Sequence, residues 1–145
     1  MTIFLDHLTI PTKDKLASAK LLDKLLGTAW SQAAAADPFA PVYISSTLTL
    51  DFDEAKAPFA VQHSAFRVAD TDFEAVLGRV TAAGLSYRST PHGPNDMKTN
   101  TEHGCRLAYW NDPDGHVWEI LTVSYARRPD LKATEDKNEG KRNDA

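Results

Sequence analysis

Two stretches of the chain follow the same pattern, and this internal repeat constrains the fold more than any other feature. Leu5–Gly27 and Val61–Gly84 each contain a β-rich segment with a histidine in its middle, then apolar residues at helical spacing, then a closing glycine. The two histidines are His7 and His63, 56 positions apart. A repeated strand–helix module with one histidine per copy predicts two imidazoles in a pseudo-symmetric site.

The two modules are predicted to share one order of elements: a strand, a helix and three further strands. The first module is expected to cover about residues 1–53 and the second about residues 59–125. In the first module, Thr12 is predicted to follow the end of the strand and to cap the helix. In the second module, Thr71 and Glu74 are predicted to form a capping box. The pattern as a whole predicts an α+β fold.

Composition and turn chemistry support one folded domain. The chain has 145 residues, of which 42% are hydrophobic, enough for a single domain over residues 1–125 with its own core. Residues 111–115 read Asn-Asp-Pro-Asp-Gly between two β-rich segments. Proline and glycine at these positions predict a tight hairpin turn. Residues 126–145 are rich in charge and lack aromatic residues, so we expect a flexible tail.

Several classes of function are disfavoured by composition. The net charge is -4 and no stripe of lysine and arginine alternates with aromatic residues, so we expect no nucleic-acid partner. No apolar run approaches the roughly 20 residues that cross a bilayer, and we expect no membrane association. The single cysteine, Cys105, excludes an internal disulfide and a cysteine-based metal motif. We therefore expect a cytoplasmic protein.

The last predicted strand carries a carboxylate in an apolar setting. Strand alternation places Val117, Glu119 and Leu121 on one face, where a buried carboxylate is costly unless it has a cationic partner. Two histidines and one carboxylate from three strands form a set that holds Fe(II), Mn(II) or similar ions with open coordination positions. His7, His63 and Glu119 are therefore candidate ligands of one divalent ion. The alternatives are structural histidines and an arginine salt bridge to Glu119.

The sequence resembles the vicinal oxygen chelate superfamily, which groups glyoxalase I, extradiol dioxygenases, bleomycin-binding proteins and fosfomycin-resistance thiol transferases. The resemblance covers about residues 3–123. It rests on the motifs DHLTI at Asp6–Ile10, QHSAF at Gln62–Phe66 and YWNDPDGHVWE at Tyr109–Glu119. It implies paired βαβββ modules in an open, cupped mixed sheet around a metal held by His7, His63 and Glu119. It also implies a homodimer, in which His7 comes from a different subunit than the other two ligands.

Within this superfamily, the sequence is further similar to the fosfomycin-resistance thiol transferases. That resemblance implies catalytic roles for Thr9 and Tyr109, with Thr9 activating an epoxide oxygen. It implies that Lys98 and Arg128, with Arg127 as the alternative arginine, bind an anionic substrate. A loop that helps to hold a monovalent cation is matched by Asn100, Glu102 and Gly104. The first helix departs from the family pattern because it ends in Leu-Leu-Asp-Lys-Leu-Leu-Gly instead of an aromatic-rich sequence. Ordinary structural roles for Thr9, Lys98 and Tyr109 stay open.

Three functions fit these observations. The first is a divalent-metal-dependent enzyme, a thiol transferase or a dioxygenase, that acts on a small metal-chelating molecule; Fe, Mn, Zn and Ni all suit the ligands. A glyoxalase-type isomerase would need a fourth ligand, for which Asp51 is the candidate. The second is a metal-free protein of the bleomycin-resistance kind that binds a small molecule or drug. Its stacking surfaces would be Trp30, Trp110 and Trp118. The third is a structural or regulatory protein. The weaker candidate ligands are His92, His103 and His116.

Overall fold

The computed structural model describes residues 1–28 and 38–126. Its elements are β1 (His7–Thr12), α1 (Lys15–Leu26), β2 (Ala40–Tyr43), β3 (Thr49–Glu54), β4 (His63–Arg67), α2 (Asp70–Ala82), β5 (Tyr87–Arg88), β6 (Leu107–Asn111) and β7 (Val117–Leu121). A short 3-10 helix, Glu102–Gly104, precedes β6. The second module has the predicted strand, helix and three strands. In the first module, β2 and β3 match two of the three strands predicted after the helix. The remaining one is expected at residues 28–36, which lie almost entirely outside the described residues.

The strands form two open mixed sheets, which confirms the predicted α+β class. One sheet has the order β1-β3-β2 and the other the order β4-β7-β6-β5. The first and last strands of each module pair in parallel, β1 with β3 and β4 with β7, and the other pairs are antiparallel. This matching topology is the structural form of the repeat. Within the described residues, no helix is long and apolar enough to cross a membrane.

The predicted cap of the first helix was wrong. Strand β1 continues through Thr12, which pairs with Glu54 of β3. Helix α1 is capped instead by Asp14, whose Oδ1 accepts a hydrogen bond from the Ala17 backbone N–H at 3.0 Å. Thr12 is fully buried, and its hydroxyl donates to Oδ2 of Asp114 at 2.5 Å. Strand β1 extends through Thr12 because the parallel ladder with β3 provides hydrogen-bond partners for the backbone there. A helix cap at Thr12 is therefore not needed to satisfy these backbone groups.

The predicted capping box of the second helix was also wrong. Helix α2 begins at Asp70, so Thr71 lies inside its first turn. The N-cap residue is Ala69, which provides no side-chain hydrogen bond. Two acidic residues in the first turn, Asp70 and Asp72, instead complement the positive end of the helix dipole. The apolar residues that recur at helical spacing form the buried face of α2: Phe73, Val76, Leu77 and Val80.

The core lies between the helices and one face of the sheets. Trp118 of β7 stacks on Phe66 with ring centroids 5.7 Å apart, and it contacts Phe52 of the first module at 6.4 Å. Trp110 of β6 is fully buried. Since one face of β6 and β7 is filled in this way, strand alternation directs the neighbouring side chains, among them Tyr109 and Glu119, to the opposite face.

The two modules are joined at His116, next to the predicted hairpin. Gly115 has a φ of +88°, the left-handed conformation that the turn requires. The buried His116 ring accepts at Nδ1 a hydrogen bond from the Gln62 backbone N–H at 2.9 Å. Nε2 therefore carries the proton and donates to the Pro11 carbonyl at 2.6 Å. His116 is a structural histidine that ties β1 to the segment before β4.

Candidate metal centre

Three strands of the larger sheet contribute to the face opposite the core. Glu119 of β7 lies between its cross-strand partners Tyr109 on β6 and Ala65 on β4. Its side chain is only 1% exposed. Among the described residues, no lysine or arginine forms an ion pair with it; its one ion-pair partner there is His63. A carboxylate buried in this way lacks the compensation that a fixed cation would give.

His63 and Glu119 meet on this face. His63 pairs with Val117, two residues before Glu119, so both side chains project from the same side of the sheet. Nε2 of His63 lies 3.0 Å from Oε2 of Glu119. Metal–ligand bonds of about 2.1 Å separate neighbouring ligand atoms of a six-coordinate ion by about 3.0 Å. The nitrogen–oxygen pair therefore fits two adjacent ligands of a divalent ion as well as it fits a hydrogen bond.

Two tyrosines surround the carboxylate. Tyr125 donates a hydrogen bond to Oε1 of Glu119 at 2.9 Å, and the ring of Tyr109 meets the His63 ring edge-on at 6.0 Å. Burial, and then the hydrogen bond with Tyr125, raises the pKa of Tyr109 well above its ordinary value. Burial, and then the hydrogen bond to Glu119, raises the pKa of Tyr125. Both phenols therefore keep their protons near neutral pH.

Tyr125 is a site residue that sequence reasoning missed. It follows the last strand, where no periodic pattern predicts the direction of a side chain. Only the path of the chain after β7 brings its hydroxyl back to Glu119. Its position six residues after Glu119 carries no sequence signal of its own.

His7 lies apart from this pair. It belongs to β1 of the smaller sheet, and its side chain is 59% exposed. Its Nδ1 is 2.8 Å from Oδ2 of Asp6, and this hydrogen bond raises the pKa of His7. Within the part of one chain that the structure describes, no group of three histidine, cysteine, aspartate or glutamate side chains is close enough to hold a metal ion. One chain thus brings together two of the three predicted ligands.

Similarity to known proteins identifies the family. Glutathione transferase FosA of Serratia marcescens is 30% identical over 136 residues, covering 86% of this chain and 84% of its own. The chain belongs to the vicinal oxygen chelate superfamily. Among solved structures, the oxidase ChaP-H2 is 38% identical with a TM-score of 0.81, and the match covers 87% of this chain and 98% of that one. No family model matches the sequence.

A more distant member of the superfamily shares the fold alone. It is a mutant of the fosfomycin-resistance protein FosX from Listeria monocytogenes, complexed with Mn(II) and 1S,2S-dihydroxypropylphosphonic acid. It is 17% identical with a TM-score of 0.61, and the match covers 86% of this chain and 96% of that one. That structure holds a divalent metal ion and a small molecule in a fold that this chain shares.

The other residues assigned from the superfamily resemblance lie in different places. Thr9 is exposed on β1, two residues from His7 and therefore on the same face. Lys98 is exposed in the loop before β6, and its backbone N–H donates to Oδ1 of Asp96 at 3.0 Å. Arg128 lies outside the described residues, as does Trp30. Asn100 makes hydrogen bonds within the loop, to the Ser89 carbonyl and from the Glu102 N–H.

Proposed function

We propose that this protein is a divalent-metal-dependent oxidase that acts on a small molecule able to chelate the ion through neighbouring oxygen atoms. The observation that carries the proposal is the contact of His63 with a buried Glu119 that has no lysine or arginine partner among the described residues. Identity to the oxidase ChaP-H2, at 38%, exceeds the 30% identity to the transferase FosA. In this proposal, residues 1–125 form a single metal-binding domain, and His7, His63 and Glu119 are the ligands.

The proposed site is shared between two copies of the chain. His7 of one subunit would join His63 and Glu119 of the other. The residues before His7 support this arrangement, since Ile3, Phe4 and Leu5 are 80%, 69% and 57% exposed. A run of exposed apolar side chains beside a candidate ligand is typical of an interface. A homodimer of two-fold symmetry would contain two such sites.

The protein's own side chains have defined tasks in this proposal. Asp6 would hold the N–H of His7 at Nδ1, which leaves Nε2 free to bind metal. Tyr125 would occupy one oxygen of Glu119 and leave the other for the ion. When bound, the ion would offer open coordination positions for the substrate oxygens and would polarise them. Iron or manganese suits oxidation, whereas zinc or nickel suits Lewis-acid chemistry alone.

A second candidate function is thiol transfer to a small electrophile. It is favoured by the exposure of Thr9 on the same face as His7 and by the position of Tyr109 opposite Glu119. In this case Lys98 and Arg128 would bind an anionic part of the substrate. The metal-free drug-binding alternative has less support, because Trp110 and Trp118 are 0% and 1% exposed and belong to the core.

A mixing experiment tests the shared site. The His7→Ala and His63→Ala variants are purified separately, unfolded together, refolded and then loaded with Mn(II). Each variant alone should bind little metal. The mixture should recover roughly a quarter of the wild-type metal content, because half of the dimers are mixed and each has one intact site. No recovery in a mixture that demonstrably contains mixed dimers would exclude a site shared between subunits.

Two activity assays separate the candidate reactions. The oxidase proposal predicts metal-dependent uptake of dioxygen with a panel of compounds that carry neighbouring hydroxyl and carbonyl oxygens. The transferase candidate predicts metal-dependent consumption of glutathione in the presence of fosfomycin. The Glu119→Gln variant serves as the inactive control in both assays. Glutathione consumption without dioxygen uptake would reject the oxidase in favour of the transferase.

A further inference from the structure

Arg88 is a buried cation on the same face of the sheet as the candidate metal centre. It pairs with Tyr109 across β5 and β6, and Tyr109 pairs with Glu119 across β6 and β7. Cross-strand partners project from one side of a sheet, so the three side chains form a row. The arginine is 5% exposed. The proposed metal site does not explain why an arginine is buried at this position of the row.

Within residues 1–28 and 38–126, the contacts of Arg88 include no counterion for its charge. Its Nε and Nη2 donate to the Pro91 carbonyl at 3.2 and 2.7 Å, and Nη1 donates to Oδ1 of Asn111 at 2.5 Å. Both acceptors are neutral. In the described part of the chain, Arg88 forms no ion pair with a carboxylate. A guanidinium has five N–H groups, so two remain without a described protein acceptor.

A buried arginine of this kind is costly unless an anion completes it. Removing a guanidinium from water has a large desolvation penalty, which neutral acceptors offset only in part. The two remaining N–H groups lie on the terminal nitrogens, the part of the side chain that binds the paired oxygens of a carboxylate or a phosphate. The arrangement is therefore suited to an oxyanion.

The guanidinium borders an open cavity that is lined in part by two neighbours of His63. The cavity has a volume of about 540 Å³. Val61, two residues before His63, and Val117, its cross-strand partner, form one side of it. Arg88 and Asn111 form another side, and the loop from Pro91 to Asn95 forms a third. A molecule bound near His63 could extend into this space without crossing another strand.

We propose that the Arg88 cavity is an oxyanion site and that the substrate of the metal centre carries a carboxylate or phosphate-like group that binds there. The assignment of the anion to the substrate rests on the proposed function. The anion site itself does not, since Arg88 and its cavity are complete within one chain. The substrate class is then a small anionic chelator, held at one end by the metal and at the other by the guanidinium.

The test uses full-length protein kept free of metal by a chelator, so that added anions cannot bind a metal ion. Acetate and inorganic phosphate are titrated separately at constant ionic strength, and binding is followed by calorimetry. The wild-type protein should bind at least one of them; the preferred ion distinguishes a carboxylate-binding site from a phosphate-binding one. Arg88→Gln should weaken that binding by roughly tenfold or more. Arg106→Gln is the matched control, because Arg106 lies outside this cavity in an exposed ion pair with Glu74.

A second variant keeps the test decisive if Arg88→Gln fails to fold. Asn111→Asp has the same size and supplies Arg88 with an internal carboxylate, so it should abolish anion binding while the arginine remains. Its fold is checked by circular dichroism. Absence of anion binding to the wild-type protein, or unchanged binding in Asn111→Asp, would overturn the proposal. Anion binding by a protein that takes up no metal would support this site and reject the metal-dependent oxidase.

Discussion

Replacing Glu119 with glutamine should stabilise the metal-free protein. The carboxylate is 1% exposed, and its contacts are the His63 imidazole at 3.0 Å and the Tyr125 hydroxyl at 2.9 Å. Neither group is a fixed cation. Glutamine has the same shape, accepts the Tyr125 hydrogen bond through its oxygen and donates to a neutral His63 through its amide. The substitution therefore keeps the contacts and removes the cost of burying a charge.

The expected gain is set by what single stabilising substitutions usually achieve. They commonly stabilise a protein by about 0.5–2 kcal/mol, and we expect a value in this range for Glu119→Gln. For a domain of this size, that gain corresponds to a rise in melting temperature of roughly 2–8 °C. The same substitution should remove metal binding, because an amide is a poor ligand where a carboxylate is required.

Both effects can be measured on the same preparation. Unfolding by urea and by heat is followed by tryptophan fluorescence, with a chelator and in slightly alkaline buffer. Glu54→Gln, at the exposed end of β3, is the control and should change stability by less than about 0.5 kcal/mol. A Glu119→Gln protein about 1 kcal/mol less stable than wild type would refute the reasoning, because it would mean that the carboxylate is fully compensated within one chain.

Three further predictions address the surroundings of the site. Tyr125→Phe should lower Mn(II) affinity in calorimetry by about 10–100-fold, because Glu119 loses the donor that orients it; unchanged affinity would contradict this role. Burial, and then the charge of Glu119, raises the pKa of Cys105. The reactive thiolate should therefore be scarce in mildly alkaline buffer, and Ellman's reagent should label Cys105 far faster in urea. Equal labelling rates in buffer and in urea would contradict the raised pKa of Cys105. Thr12→Val removes the 2.5 Å hydrogen bond to Asp114 that joins the modules. It should lower the free energy of unfolding in urea by about 1.5–3 kcal/mol. A decrease of less than about 0.5 kcal/mol would count against a stabilising role for this hydrogen bond.

Local sequence patterns were reliable where a single physical constraint governed the outcome. The turn at residues 111–115 fixed the register of β6 and β7, and strand alternation then placed Glu119 on the face away from the core. The buried stripe of α2 followed from helical spacing in the same way. The helix caps failed because two constraints competed. Thr12 has good capping chemistry, but the pairing of β1 with β3 kept it in the strand.

The sequence by itself determined the repeat, the α+β class and the resemblance to the superfamily, because these depend on local periodicity and on short motifs. Tertiary structure alone decided which candidate groups meet. It set His63 3.0 Å from Glu119, brought Tyr125 to the same carboxylate and buried Arg88 beside the cavity. It also left His7 exposed on the other sheet. These relations depend on how separate strands pack and on where the chain turns after its last strand, and periodicity within one segment does not encode distances between segments.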